Sequence, residues 1–253
     1  MKFNILIALC IVFIFLTSCN FTTRQKIESG LKEPLSVYPT KNLEDFYDKE
    51  GYRDSNFSKD DKGVWSVYTS ISRRNNEGLL RIEGVMLYID RNTRKSEGYY
   101  FDKNDSNNEM KKFNRKYAVT MKNNRLILKD KNVEKRIKNK VQNFKFLVQY
   151  GNFKNLNQYE TDNVIYNSQA PNYLISYTPK VNDKNLNQIQ KLYHVQVGGN
   201  VRLQIYGNSE LKNIAQGSNK IQFLLEDQVD RYINSTVIFK SKGSLNNEHY
   251  KSY

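Results

Sequence analysis

The chain has 253 residues, 38% of them hydrophobic, and a formal net charge of +14. This length suffices for one sizeable domain or two small ones. Only two cysteines and two histidines are present. The composition therefore excludes a disulfide-rich scaffold and leaves few ligands for a cysteine or histidine metal site.

The N-terminus has the pattern of a secretory signal peptide. Lys2 precedes an apolar stretch over residues 5–16, and the small residues Thr17 and Ser18 follow it. The stretch is too short to cross a hydrocarbon core of ~30 Å comfortably, so a permanent transmembrane helix is the weaker interpretation. We predict that residues 1–18 are a signal peptide that is removed.

The residues at the predicted cleavage point resemble the bacterial lipobox. In Leu16-Thr17-Ser18-Cys19, the small residues suit the signal peptidase and the thiol of Cys19 accepts diacylglycerol. We predict cleavage between Ser18 and Cys19, which gives an S-diacylglycerol, N-acyl (palmitate-bearing) cysteine. This cysteine would anchor the chain stably, since two acyl chains hold a protein on a membrane where one does not. The alternative is an ordinary secreted protein in which Cys19 is incidental. Cys10 leaves with the signal, so the mature chain has no other thiol.

The positive charge has two interpretations. A basic lipoprotein is attracted to anionic phospholipid and polyanionic envelope polymers, at about 1 kcal/mol per basic residue near the surface. A genome rich in A and T would also raise the lysine and asparagine content without any selection for binding. Nucleic acid is not an expected partner for a chain on the outer face of the cytoplasmic membrane.

The first third of the mature chain changes from tether to regular structure. Residues 19–39 are polar and contain Pro34 and Pro39, which predicts a lipidated N-terminus and flexible tether, although Ile27 and Leu31 suit one helical turn. Leu43 and Phe46 then follow helical spacing. From residue 64 the period is two, and one face of the predicted strand collects Trp65, Val67, Thr69 and Ile71.

Further strands are predicted along the rest of the chain. They cover residues 79–89, 98–101, 116–121, 125–129, 164–166, 173–178, 201–206, 220–225 and 236–240. The pair Asn123-Asn124 tolerates the positive φ of a tight hairpin. These strands predict an antiparallel meander of four or five strands in the first half of the chain.

Two segments have helical spacing. Residues 131–142 predict a basic amphipathic helix. It either lies on a membrane or packs over a sheet, and packing over a sheet is favoured. Residues 186–193 predict a second helix. Residues 144–150 suit a strand or a helix continuation equally. The predicted fold class is α+β: a mostly antiparallel β-sheet that can be curved, with a few helices packed on it. We predict a single domain over residues 40–253, with a subdomain division near 150–160 left open.

The search for catalytic and metal-binding residues gives little. His194 follows a predicted helix and is expected to be structural, and His249 lies near the C-terminus. Gly198-Gly199 lacks the other residues of a phosphate loop and is expected to be a turn. We predict no enzyme activity, no cofactor and no catalytic residue.

Two acidic stretches were candidates for a metal ion. Residues 102–107 resemble the start of an EF-hand loop, but Asn107 replaces its glycine and Phe113 replaces its bidentate glutamate. The acids Glu226, Asp227 and Asp230 are expected to form a solvated strand edge. The sequence predicts no metal site.

Several longer strings resemble the staphylococcal tandem-type lipoproteins. These are the strings at residues 38–54, 61–65, 89–94, 98–101, 121–124 and 143–146, beside the lipobox. The resemblance implies a lipoprotein on the outer face of the cytoplasmic membrane, with no assigned catalytic residue, that stimulates immune cells through its lipid and contacts host cells. It assigns a function only to Cys19.

Two functions therefore remain open. The first is a surface lipoprotein whose domain contacts a host receptor or an anionic envelope polymer. The second is a carrier that holds an apolar ligand, such as lipid, in a curved-sheet cavity. The 31 Tyr and Phe residues would suit a sugar- or peptide-binding surface, but sheets favour these residues in any case.

Overall fold

A computed structural model describes residues 22–74, 78–105, 112–225 and 231–249. The predicted signal peptide, the cleavage point and Cys19 lie outside these residues. No helix in the described part of the chain is long and apolar enough to cross a membrane.

Ten antiparallel strands form one open sheet, which confirms the α+β prediction. Their order across the sheet is β5-β4-β3-β2-β1-β10-β9-β8-β7-β6, so each half of the chain forms a five-strand meander and the two meanders join at the β1–β10 pair. The strands are β1 (Val64–Arg74), β2 (Leu80–Asp90), β3 (Lys95–Asp105), β4 (Asn114–Lys122), β5 (Arg125–Leu128), β6 (Glu160–Asn167), β7 (Asn172–Thr178), β8 (Arg202–Gly207), β9 (Asn219–Leu224) and β10 (Tyr232–Lys240).

Most helices of the described chain pack on one face of this sheet. The helices are α1 (Thr23–Leu35), α2 (Lys135–Asn143), α3 (Leu147–Tyr150), α4 (Lys184–Tyr193) and α5 (Lys242–His249), with short 3-10 helices η1 (Leu43–Tyr47), η2 (Leu156–Gln158) and η3 (Leu211–Gln216). Buried side chains of α1 to α4 and of the 3-10 helices share one hydrophobic core with Trp65 and Val67 of β1. We call this side the helix face.

The predicted grouping of Trp65, Val67, Thr69 and Ile71 on one face of β1 is confirmed, although Ser66 and Ser70 on the other face are buried as well. Trp65, Val67, Thr69 and Ile71 are all buried on the helix face. Thr69 is polar in this core, and its Oγ1 accepts a hydrogen bond from the Leu147 backbone N–H at 3.1 Å. The buried threonine is therefore tolerated, because its hydroxyl oxygen accepts the hydrogen bond of a backbone N–H in the first turn of α3. Residues 144–150 form neither a strand nor a continuation of α2: α2 ends at Asn143, and α3 begins separately at Leu147.

The Asn123-Asn124 hairpin is also confirmed, with φ angles of 52° and 57°. Its tip contacts η1. The Asn124 Oδ1 accepts from the Leu43 N–H at 2.9 Å, and the Asn123 N–H donates to Glu44 Oε1 at 2.9 Å. The hairpin therefore fixes the start of η1 against the sheet.

The prediction of a flexible tether through Pro39 is wrong. The segment forms helix α1, which Thr22 and Gln25 begin with reciprocal capping hydrogen bonds. Ile27 and Leu31 are 0% exposed within the core. Ile27, Leu31 and Leu35 recur every four residues, so one stripe of α1 is apolar, and burying this stripe outweighs the polar composition.

Candidate functional site on the uncovered face of the sheet

The second face of the sheet is left largely without helices. Strand alternation places Ser66, Tyr68 and Ser70 of β1 there, opposite the helix face. Among the described elements, α5 approaches this face at one end, where its Leu245 lines a cleft with Val64 and Tyr88. We call the remaining surface the open face.

An aromatic cluster lies at the centre of the open face. The rings of Tyr68 and Phe101 stack with centroids 6.0 Å apart and an interplanar angle of 5°. They meet across β2 because Gly84, which pairs with Ser70 and Phe101, has no side chain to separate them. A Cβ at Gly84 would lie 2.5 Å from the Thr69 carbonyl oxygen, so the close approach of β1 and β2 at this position requires glycine.

Two further tyrosines extend the aromatic surface across the second meander. Tyr232 and Tyr206 come from β10 and β8, and strand register places both on the open face. Burial raises the pKa of Tyr68 and of Tyr206. Both phenols are therefore neutral at physiological pH, and the surface carries no anionic oxygen from them.

Basic side chains stand beside these rings. The Lys116 ammonium lies 4.9 Å from the Tyr99 ring centroid, and the Lys220 ammonium lies 5.9 Å from that of Tyr206. Both distances are within the range of cation–π attraction. Register places further cations on the same face, namely Lys95, Lys103, Lys122, Arg125, Arg202 and Lys240.

Acidic groups on the open face are partly neutralised. Asp90 lies 3.0 Å from the Lys242 Nζ, and Glu97 lies 2.6 Å from the Lys129 Nζ. Asp162 lies 3.8 Å from the Arg202 Nε. These exposed pairs contribute little to stability, but they reduce the negative potential. Tyrosine rings with adjacent cations can stack on the C–H surface of a sugar or polyol and attract its phosphate groups.

The histidines and glycines that the sequence singled out are not part of the aromatic cluster on the open face. His194 ends α4 with a left-handed φ of 52° and is exposed; its expected structural role stays a prediction. His249 is the last residue of α5. Gly198-Gly199 lies in the loop before β8, as expected of a turn.

The two acidic stretches do not form a site in the described residues. Asp102 is buried and bonded to Arg81, whose Nε lies 2.8 Å from Asp102 Oδ1. It is therefore part of an ion pair and not of a calcium loop. Glu226, Asp227 and Asp230 lie outside the described residues. Within the described ranges, no three His, Cys, Asp or Glu residues are grouped to hold a metal ion.

Sequence comparisons relate the chain to staphylococcal lipoproteins. The profile of the Csa1 family matches residues 23–242. An uncharacterized lipoprotein of Staphylococcus aureus strain MSSA476 is 36% identical over 248 residues, which is 94% of this chain and 98% of the relative. Similar proteins in S. aureus strain USA300 and S. epidermidis strain ATCC 35984 are also 36% identical, covering 92% of this chain and 96% and 94% of their own lengths. The resemblance noted in the sequence is thereby confirmed.

Proposed function

Because the chain belongs to the Csa1 family, whose relatives described above are named lipoproteins, we propose that it is a membrane-anchored surface lipoprotein. Lipid on Cys19 holds it at the outer face of the cytoplasmic membrane. Its domain acts by binding and not by catalysis. Membrane attachment and signal cleavage both follow from the lipobox at residues 16–19.

The partner that we propose for the domain is an anionic polymer of the cell envelope with a sugar or polyol backbone. The observation that carries this proposal is the open face, where the ammonium groups of Lys116 and Lys220 lie 4.9 and 5.9 Å from the centroids of two half-buried tyrosine rings, Tyr99 and Tyr206. Neutral aromatic rings suit the backbone of such a polymer, and the lysines suit its phosphates. A protein receptor on a host cell is the competing partner, and it would require apolar anchors at the centre of the contact.

A carrier function has less support from the fold. The helix face, where a curved sheet would hold an apolar ligand, is filled by the packed side chains of Leu31, Val148 and Ile189, each 0% exposed. These residues come from α1, α3 and α4. A lipid in that position would have to displace whole helices from the sheet.

The experiment compares two double charge reversals in the full chain, purified in nanodiscs of zwitterionic lipid. K116E/K220E changes the open face, and the control K135E/R136E makes the same charge change on exposed residues of α2, across the sheet. Binding to poly(glycerol phosphate) is measured by biolayer interferometry. We expect K116E/K220E to weaken binding by at least about tenfold, because about 1 kcal/mol is lost for each cation removed.

The control decides the interpretation. A much smaller loss in K135E/R136E supports the open face as the binding surface. Equal losses in the two variants would show that net charge alone attracts the polymer. No binding by the wild type, together with capture of a host protein that depends on Tyr99 and Tyr206, would favour the receptor instead.

A further inference from the structure

A cleft of about 340 Å³ opens on the helix face, away from the open face. Its walls come from β1 and β2, the C-terminal half of α2 and the end of α4. The lining residues combine cations, amides and apolar groups. They include Ile71, Arg73, Glu83, Lys140, Lys145 and Leu192.

One carboxylate in the wall is fully engaged. Glu83 is 7% exposed and accepts a hydrogen bond from the Tyr100 hydroxyl at 2.9 Å. Arg73 Nη2 contacts one of its oxygens and Lys140 Nζ contacts the other. Burial alone would raise the pKa of Glu83, but contacts with Lys140 and Arg73 outweigh it and hold the pKa below its usual value. Glu83 is therefore an anion with two cations.

The cleft consequently carries excess positive charge. Two cations share the single charge of Glu83, and Lys145 adds a third cation to the same lining. Among the described residues that line the cleft, Glu83 alone is acidic. Arg73 and Lys140 keep 35% and 28% of their side-chain surface exposed, so solvent and a ligand reach both groups. A closed ion pair would be neutral, whereas this arrangement leaves cationic groups facing the cleft.

The rest of the cleft combines aromatic and apolar side chains with polar ones, and several of them are held in place by packing. The Phe144 ring packs on Tyr193 at 6.3 Å and on Phe146 at 5.2 Å. The Tyr193 hydroxyl donates to the Lys145 carbonyl at 2.5 Å, which ties the end of α4 to the segment after α2. Asn139 and Asn143, one helical turn apart, present amides to the same space.

We propose that this cleft binds a small organic anion, a carboxylate or phosphate on an aromatic or short apolar body. Lys145, Lys140 and Arg73 attract the anionic group, since charge-assisted hydrogen bonds are the strongest that side chains form. Phe144, Leu192 and Ile71 contact the apolar body. The volume lies at the lower end for ligand sites, which suits a molecule about the size of a substituted ring.

The test uses the full chain in zwitterionic nanodiscs and fluorine NMR of three water-soluble probes. The probes are para-fluorobenzoate, para-fluorophenyl phosphate and, as a cation of similar shape, para-fluorobenzylamine. We expect the wild type to bind at least one of the two anions about tenfold more tightly than the amine. A preference for one anion identifies carboxylate or phosphate as the natural group.

Three variants locate the binding. Lys145→Gln removes a charge from the cleft and leaves the Glu83 contacts intact; Lys154→Gln removes the same charge from an exposed position outside the lining. His194→Asn removes the imidazole at the rim and keeps a residue that tolerates positive φ. We expect Lys145→Gln to weaken anion binding about five- to tenfold, His194→Asn to weaken it less, and Lys154→Gln to leave it unchanged.

The proposal is overturned if the amine binds as tightly as the anions, or if Lys145→Gln and Lys154→Gln have equal effects. Absence of anion binding at millimolar probe concentrations would also overturn it. None of these outcomes bears on the open face, because Lys116 and Lys220 lie on the opposite side of the sheet.

Discussion

Trp65 and Phe239 lie directly opposite each other in the β1–β10 pair, with ring centroids 4.8 Å apart. This contact lies where the two five-strand meanders join. The Trp65 indole N–H also donates to the Lys49 carbonyl at 3.1 Å. Gly63, with φ of 78°, lies under the Phe239 ring, where a Cβ would come within 2.3 Å of Cζ. The junction between the meanders thus depends on close aromatic packing.

We expect Trp65→Ala to lower the free energy of unfolding by roughly 3–5 kcal/mol, because Trp65 is 5% exposed and its loss leaves a cavity at this junction. Urea denaturation followed by circular dichroism measures the change. Tyr52→Ala, at an aromatic residue that is 39% exposed, is the control and should change stability by about 0.5 kcal/mol or less. Similar effects of the two substitutions would contradict the buried position of Trp65.

Leu31→Ala tests whether α1 is part of the folded core. Leu31 is fully buried, so we expect a destabilisation of roughly 2–5 kcal/mol in urea denaturation. Lys32→Ala changes the neighbouring exposed residue and should have almost no effect. If Leu31→Ala left the unfolding midpoint unchanged, α1 would not be docked in solution.

Glu83 gives the fold a dependence on acid pH. Its folded-state pKa is lowered, so the ionised form contributes stability above the usual glutamate pKa of about 4.3, and that contribution is lost as pH falls through the folded-state value. We expect Glu83→Gln to be less stable than wild type at pH 7. The gap should narrow below about pH 4. Thermal unfolding across this range measures it, and a constant gap would show that the Glu83 charge is not coupled to folding.

Cys19→Ala should abolish retention of the chain by the membrane, because both acyl chains depend on the lipidated cysteine. Cells that express the variant are fractionated, and the chain is followed by immunoblotting. Wild type should sediment with membrane and the variant should not. A variant whose signal peptide has been removed and which still sediments with membrane would rule out lipid anchoring at Cys19.

Binding to polyanions should be weak and sensitive to salt. The sequence has no run of five cations, and Lys116 and Lys220 of the open face are exposed, so their attraction to a polymer is screened beyond ~8 Å at physiological ionic strength. We expect the nanodisc-bound chain to dissociate from poly(glycerol phosphate) when salt rises from about 0.05 to 0.5 M. Equal, tight binding at both concentrations would instead indicate a formed, desolvated site for the polymer.

Local patterns predicted much of the first meander. The alternation from Trp65 to Ile71 and the Asn123-Asn124 turn depend on neighbouring residues, and both are confirmed. The same alternation runs from Glu83 through Val85 to Ile89 and places the glutamate on the buried face. That pattern signals a buried acid that requires partners, although the sequence alone does not name Arg73 and Lys140.

Other features depend on contacts between distant parts of the chain. No local pattern pairs Trp65 with Phe239, because their strands meet only after the whole chain between them has folded. The docking of α1 depends on Ile214 and on strands β6 and β7, far along the sequence. The open face could not be predicted from the sequence either, since Tyr68, Tyr99 and Tyr206 lie on one surface only through the order of the strands.

The capped start of α1 also limits how far the protein extends from its anchor. Thr22, the residue that caps α1, is three residues after Cys19, and a fully extended chain spans at most about 3.6 Å per residue. If Cys19 carries the lipid, as proposed, Thr22 lies within about 11 Å of the attachment. The chain then has no long spacer between the bilayer and α1, which contacts β6 and β7. Partners of the domain must therefore come to the membrane surface to be bound.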